Sequence, residues 1–141
     1  LALSGAIASG DAVLAAQAMG ADFGYIGSAF IATKEARADE LYKQMIVDSE
    51  ADDIIYSNLF TGVHGNYLAP SVKAAGMDPN NLPEGDISTM NFGDWDKKPK
   101  AWKEIWGCGQ GIGSVTNILN VEDLVLRLEV EYLKAKTRIS V

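Results

Sequence analysis

One pattern constrains the fold of this 141-residue chain more than any other, and it occurs twice in the first 36 residues. An apolar run ends at residues 4–6, Ser-Gly-Ala, and a second run, residues 23–26, ends at Gly27-Ser28. Each run is too short for a helix, and the glycine marks its end. A helix-start signal follows each turn, so the pattern predicts two β/α units with short loops and parallel strands.

The two helices of these units are predicted from caps and spacing. Ser9 or Asp11 can cap the first, whose small apolar residues end at Gly20. The second is predicted over residues 34–49, where one apolar stripe repeats at helical spacing. That stripe consists of Ala38, Leu41, Tyr42, Met45 and Ile46.

From residue 51 onward the composition changes. The sequence predicts a strand over residues 53–60 and a loop over residues 61–70. It also predicts a short helix that begins at Pro70 and ends at Gly76. Residues 77–97 predict a long irregular segment, of a kind that is often functional or mobile.

Two further helices are predicted near the end of the chain. One begins at Pro99 and carries Trp102, Ile105 and Trp106 on one face, and the other runs from about Asn120 into the 130s. Between them lies a glycine-rich turn, GQGIG, at residues 109–113. The predicted division is therefore two β/α units over residues 1–50 and a mostly helical and irregular segment over residues 51–141.

Composition narrows the function classes. The formal net charge of −7 argues against nucleic acid as the main partner, and no apolar run is long enough to span a bilayer. A single cysteine excludes an internal disulfide, and the first residues lack a signal peptide's pattern, so we expect a cytoplasmic protein. Because the strand begins at once at Leu1, we also expect the chain to be a fragment of a longer protein.

The two glycine turns are the first candidates for chemistry. Ligands of parallel α/β folds bind at the carboxyl ends of strands, where glycine lets the backbone approach a ligand closely. Backbone N–H groups in such turns can point at an anion, and Ser28 adds a hydroxyl. Two turns on adjacent strands can thus form one phosphate site, as TIM barrels do after their last strands. The alternative is that both are only tight β/α turns.

Other polar residues are weaker candidates. His64, the only histidine, fits an ordinary loop residue better than a catalytic base, and Cys108 fits a packing residue. One histidine and one cysteine give no spacing for a metal site. Gln110 in the GQGIG turn, and Asn58, Thr61 and Asn66, can line a pocket or simply stabilise turns.

With these residues in view, the sequence resembles the nitronate monooxygenase family, formerly called 2-nitropropane dioxygenases. The resemblance depends first on SGAIASGDAVLAAQAMGADFGYIGSAFIATKEA, residues 4–36, which other phosphate-binding barrels share in part. It depends second on Thr61-Gly62 with Asn66, and on GQGIGSV, residues 109–115. It covers essentially the whole chain, which corresponds only to the last part of the family's sequence.

The resemblance implies an α/β fold, namely the C-terminal part of an FMN-binding TIM (β/α)8 barrel, its last two β/α units. A mostly helical segment, residues 51–141, then follows and packs on the barrel. It implies that Gly5 and Ala6 contact the FMN phosphate from the first turn, and that Gly27 and Ser28 do so from the second. Many members have glycine at the position of Ala6 and threonine at that of Ser28. Gln110 is similar to a glutamine in the family's closing glycine turn.

The implied function is an FMN-dependent oxidoreductase that oxidises alkyl nitronates with dioxygen. The family's proposed catalytic histidine lies upstream of this segment and does not match His64, so the catalytic residue is expected outside the chain. The rest of the barrel is then expected from missing chain or a partner copy. Alternatives are an FMN-dependent enoyl-acyl-carrier-protein reductase-like enzyme, and a non-catalytic truncated fragment.

Overall fold

A computed structural model describes residues 1–85 and 104–140. Strands and helices alternate at first and give way to a hairpin and further helices. In chain order they are β1 (Ala2–Ser4), α1 (Gly10–Ala18), β2 (Phe23–Tyr25), α2 (Ser28–Ile31), α3 (Glu40–Val47), β3 (Ile54–Ser57), β4 (Gly65–Leu68), α4 (Ala69–Ala74) and α5 (Val121–Ile139), with short 3-10 helices at Ala51–Asp53 and Gln110–Ser114.

The first β/α unit forms as the sequence predicts. β1 and β2 pair in parallel, with Leu3 opposite Gly24. Of the two candidate caps for α1, Ser9 is the one used, and its hydroxyl accepts a hydrogen bond from the Ala12 N–H at 3.2 Å. A small core then joins helix and sheet, and it contains Ile7, Ala16 and Ala21 with Leu3, Ala12, Val13 and Ile26 packed against them.

The predicted helix over residues 34–49 is wrong at its start. A four-residue helix, α2, comes first, and α3 begins only at Glu40, after Asp39 caps it by accepting from the Leu41 N–H. Residues 33–35 instead bind a distant segment, since the Lys34 N–H donates to the Leu119 carbonyl at 2.9 Å. These long-range hydrogen bonds outcompete the helix there. Leu41 of the predicted stripe is 71% exposed, whereas Ile46 is buried.

The predicted loop over residues 61–70 is also wrong in part. β3 is shorter than the predicted strand over residues 53–60, and it pairs antiparallel with β4, with Ile54 opposite Leu68. Gly65 and Asn66 open β4, and residues of these types are depleted in strands, which hides the hairpin in the sequence. The prediction that Pro70 starts a helix is confirmed, because Pro70 lies in the first turn of α4, and Gly76 follows the helix with φ of 84°.

The last predicted helix is confirmed as α5, which Asn120 caps by accepting from the Asp123 N–H at 2.7 Å. The helix predicted from Pro99, Trp102 on its face, and most of the irregular segment over residues 77–97 lie outside the described residues.

The chain divides into two compact units. One joins residues 1–51 with those from 109 onward, and the other contains residues 52–108. The sequence places a boundary near residue 50 but assigns everything after it to one segment. Within the first of these units, α5 packs against α1. The predicted division at residue 50 stays a prediction. Within residues 1–85 and 104–140, no helix is both long and apolar enough to cross a membrane.

Candidate functional site

The first turn, residues 5–9 between β1 and α1, has an unusual backbone. Gly5 has φ of 95° and Ala6 has φ of 52°, both in the left-handed region. Glycine enters this region freely, but alanine does so at a cost of about 1–2 kcal/mol. Ala6 is the only described residue other than glycine with positive φ, so the structure concentrates its backbone strain at this turn.

The second turn, residues 26–28 between β2 and the start of α2, is built differently. Gly27 has φ of −111°, which any residue adopts. A Cβ atom added to Gly27 would meet no atom within 4 Å. Neither backbone conformation nor packing within the described residues therefore demands glycine here, and the space in front of it stays open.

A third segment, the glycine turn of residues 109–114, completes the arrangement. The Gly109 N–H donates to the Ser28 hydroxyl oxygen at 2.9 Å. Gly111 lies against the first turn so closely that an added Cβ would be 2.9 Å from the Ala6 carbonyl carbon. One glycine turn thus contacts both β/α turns.

The three segments surround a pocket with a volume of about 150 Å³. This is below the roughly 300 Å³ at which pockets for whole drug-sized ligands begin, so it suits one end of a larger ligand. Its lining comes from all three segments and comprises Ser4, Gly5, Ala6, Ile7, Ala8, Tyr25, Gly27, Ser28, Gly109 and Gly111.

The chemistry of this lining suits an anion held by neutral donors. Four of the ten lining residues are glycines and three carry hydroxyl groups, and none of these ten has a charged side chain. Because the Ser28 oxygen accepts from Gly109, its own proton is directed elsewhere and can be donated to a ligand. Backbone N–H groups in turns provide the rest of such a site.

The structure brings four of the five predicted cofactor-binding residues to this pocket: Gly5, Ala6, Gly27 and Ser28. Gln110 lies on the glycine turn with an exposed side chain, and it is not among the residues that line the pocket. Its contact with a cofactor stays a prediction.

The remaining candidates lie in the other unit. His64 is exposed and stacks on Tyr56, with ring centroids 4.7 Å apart. Burial raises the pKa of the Cys108 thiol to about 12, so it stays protonated and unreactive at neutral pH. In the described part of the chain, no group of three or more histidine, cysteine or acidic residues could hold a metal ion.

Sequence reasoning missed the role of Gly109 and Gly111. It singled out the side chain between them, Gln110, whereas the pocket uses the backbone on either side. The glycines of GQGIG were the available signal, since close backbone approach is one of the few reasons to place glycine in a short helical turn.

Two sequence comparisons with known proteins both find nitronate monooxygenases. A sequence model of the nitronate monooxygenase family matches residues 2–131. A probable nitronate monooxygenase from Staphylococcus haemolyticus is 36% identical over 59 residues, which are 42% of this chain and 16% of that protein.

Two solved structures are similar in fold. Nitroalkane oxidase from Streptomyces ansochromogenes is 24% identical with a TM-score of 0.70, and the match covers 98% of this chain and 40% of that one. FabK from Thermotoga maritima is 19% identical with a TM-score of 0.67, and the match covers 98% and 45%. The chain therefore spans less than half the length of these solved structures.

Proposed function

The chain belongs to the nitronate monooxygenase family, and we propose that it forms the phosphate-binding part of an FMN-dependent oxidoreductase that oxidises alkyl nitronates with dioxygen. The observation that supports this most is the pocket shared by the two β/α turns and the glycine turn. Its place at the carboxyl ends of two parallel strands is where phosphate groups bind in many α/β folds.

The residues present fit a phosphomonoester. The pocket is small, its lining is polar at Ser4, Tyr25 and Ser28, and the glycines let the backbone form its walls. Open space in front of Gly27, where an added Cβ would meet nothing, is the space that we assign to the phosphate. FMN, when bound, would supply a ring that accepts electrons from the substrate.

The part played by these residues is binding and orientation. Ser28 would donate a hydrogen bond from its hydroxyl group to a phosphate oxygen, and the first turn would add backbone donors at Gly5 and Ala6. Holding the phosphate end fixes where the remainder of the cofactor extends. The residue that acts on the nitronate is expected outside this chain, and we assign no catalytic role to His64.

The β1–β2 sheet has an exposed apolar face that bears on where the rest of the barrel lies. Phe23 is 70% exposed and Tyr25 is 66% exposed, so the β1–β2 sheet presents large side chains with apolar rings to solvent. Such a face is unfavourable unless it is covered. We propose that further strands of the protein, or those of a partner copy, cover it.

The test uses the full-length protein, purified and examined by absorbance spectroscopy. We expect a yellow protein with flavin absorbance that releases FMN on denaturation. Full-length protein that is colourless and stays without flavin after incubation with FMN would contradict the proposal.

A second measurement defines the reaction. Under anaerobic conditions, an alkyl nitronate is expected to bleach the flavin absorbance rapidly in a stopped-flow instrument, while NADH does so slowly. Rapid reduction by NADH alone would instead support the enoyl-acyl-carrier-protein reductase-like alternative. If the intact mass of the natural product equals that of this chain alone, the non-catalytic alternative is favoured.

A further inference from the structure

Arg127 lies on α5 and contacts two of the three segments around the pocket. Its Nη2 donates to the carbonyl of Ala8 at 3.0 Å, and its Nη1 donates to the carbonyl of Ser114 at 3.4 Å. Ala8 lines the pocket, and Ser114 ends the glycine turn. One guanidinium group therefore joins the first turn to the glycine turn, from the side of α5.

Glu131 forms an ion pair with this guanidinium and extends the same connection. Its Oε1 lies 3.4 Å from Arg127 Nε, and its Oε2 accepts a hydrogen bond from the Gly10 N–H at 2.8 Å. Gly10 begins α1 and lies so close to α5 that an added Cβ would overlap the Leu128 carbonyl oxygen. The pair thus holds the end of the first turn directly against α5.

The start of α5 is tied to the other β/α unit. The Val121 N–H donates to both carboxylate oxygens of Glu35, at 3.0 and 3.1 Å, and Thr33 bridges to Leu119. Helix α5 consequently contacts residues that follow each of the two turns, as well as the end of the glycine turn.

From these contacts we infer that Arg127, paired with Glu131, is a positioning residue for the phosphate pocket and sets the separation between the first turn and the glycine turn. Arginine suits this task because its planar fork can donate to two carbonyls at once, which a lysine ammonium on a flexible stem does with less geometric control. The inference rests on the proposed function, because it takes the ligand of this pocket to be the FMN phosphate.

The experiment compares two conservative variants in the full-length apoprotein, Arg127→Lys and Arg138→Lys. Arg138 lies on the same helix and pairs with Asp11 of α1, so it matches Arg127 in charge and in the helix that carries it. Arg138 is however 68% exposed, whereas Arg127 is 23% exposed and contacts the segments of the pocket. For each protein, flavin fluorescence quenching gives the Kd for FMN and for riboflavin, which lacks the phosphate, and thermal unfolding reports the fold.

We expect Arg127→Lys to raise the Kd for FMN about tenfold, because misplaced turns would lose roughly the equivalent of one hydrogen bond to the charged phosphate. The Kd for riboflavin should stay within about twofold of wild type. Arg138→Lys is expected to change neither. A merely structural role would weaken both flavins equally, and that result, or an unchanged FMN Kd in Arg127→Lys, would overturn the inference. Wild-type protein that binds FMN no better than riboflavin would refute the phosphate site itself.

Discussion

The first and second turns look alike in the sequence and are built differently in the structure. Both follow a three-residue parallel strand and both line the same pocket. The first turn reaches the glycine turn through backbone packing, with Ala6 in a left-handed conformation against Gly111. The second reaches it through a side chain, with the Ser28 hydroxyl accepting from the Gly109 N–H.

This difference shows that one short sequence pattern can form a pocket wall in two ways, by backbone packing or by a side-chain hydrogen bond. A wall made by backbone contact depends on shape, so added volume should damage it most. A wall made by a hydrogen bond depends on one polar atom, so loss of that atom should damage it most. Four substitutions test this contrast.

Gly111→Ala should have the largest effect, because its new Cβ would lie 2.9–3.1 Å from backbone atoms of Ala6, which cannot move aside as a side chain can. Such overpacking typically costs about 1–3 kcal/mol of stability, and it should also abolish FMN retention. Thermal unfolding and flavin content after gel filtration measure the two effects. Gly113→Ala on the same turn is the control, since its Cβ would meet only Ala51 N at 4.0 Å. Equal damage from both variants would contradict the proposed contact.

Ser28→Ala removes the hydroxyl of the second turn. Loss of one hydrogen bond to a charged phosphate should weaken FMN binding by about 1.5–3 kcal/mol, measured as the Kd from fluorescence titration. Ser28→Thr keeps the hydroxyl and should retain most of the affinity. Unchanged FMN binding in Ser28→Ala would exclude this residue from the phosphate site.

Gly27→Ala adds one methyl group to the open space of the second turn. Because nothing in the described structure opposes that methyl, stability should stay within about 0.5 kcal/mol of wild type. FMN affinity should nevertheless fall about tenfold, or about 1.4 kcal/mol, if the phosphate occupies this space. Calorimetric titration with FMN separates the two quantities. Full affinity in the variant would place the phosphate elsewhere.

Ala6→Gly should have the smallest effect, and of opposite sign. Relief of the left-handed strain gains about 1–2 kcal/mol, and the greater freedom of glycine in the unfolded chain returns about 0.4–1 kcal/mol of it. We expect net stabilisation by roughly 0.5–1 kcal/mol in chemical denaturation. The control is Ala15→Gly, at an exposed position inside α1, which should destabilise by about 1 kcal/mol. Two destabilised variants would contradict the strain at Ala6.

The parts that the sequence predicts well depend on local signals. A short apolar run with a terminal glycine locates β1 and β2. The candidate caps Ser9 and Asp11 locate the start of α1, and helical spacing of apolar residues after Asn120 locates α5. The same signals predicted that Gly5, Ala6, Gly27 and Ser28 lie together, because parallel strands end at one edge of a sheet.

The parts of the fold and of the pocket that the sequence does not predict depend on residues far apart in the chain. Residues 34–39 fit a helix locally, but the Lys34 N–H donates to the distant Leu119 carbonyl, and the Glu35 carboxylate accepts from the Val121 N–H. The contact of Gly111 with Ala6 has no local signature beyond the glycine itself. In the sequence, Arg127 is one charged residue on an amphipathic helix, and no local signal indicates its contacts with Ala8 and Ser114.

The hydrogen bond from Gly109 to Ser28 also has a consequence for folding. It joins residues 81 positions apart, and the bond from Gly10 to Glu131 joins residues 121 apart. Contacts of such high sequence separation form slowly, because a long loop must close before they stabilise anything. The pocket therefore assembles only when the two ends of the chain have met. A cofactor that binds there recognises only chains that have completed this step, and it stabilises them by mass action.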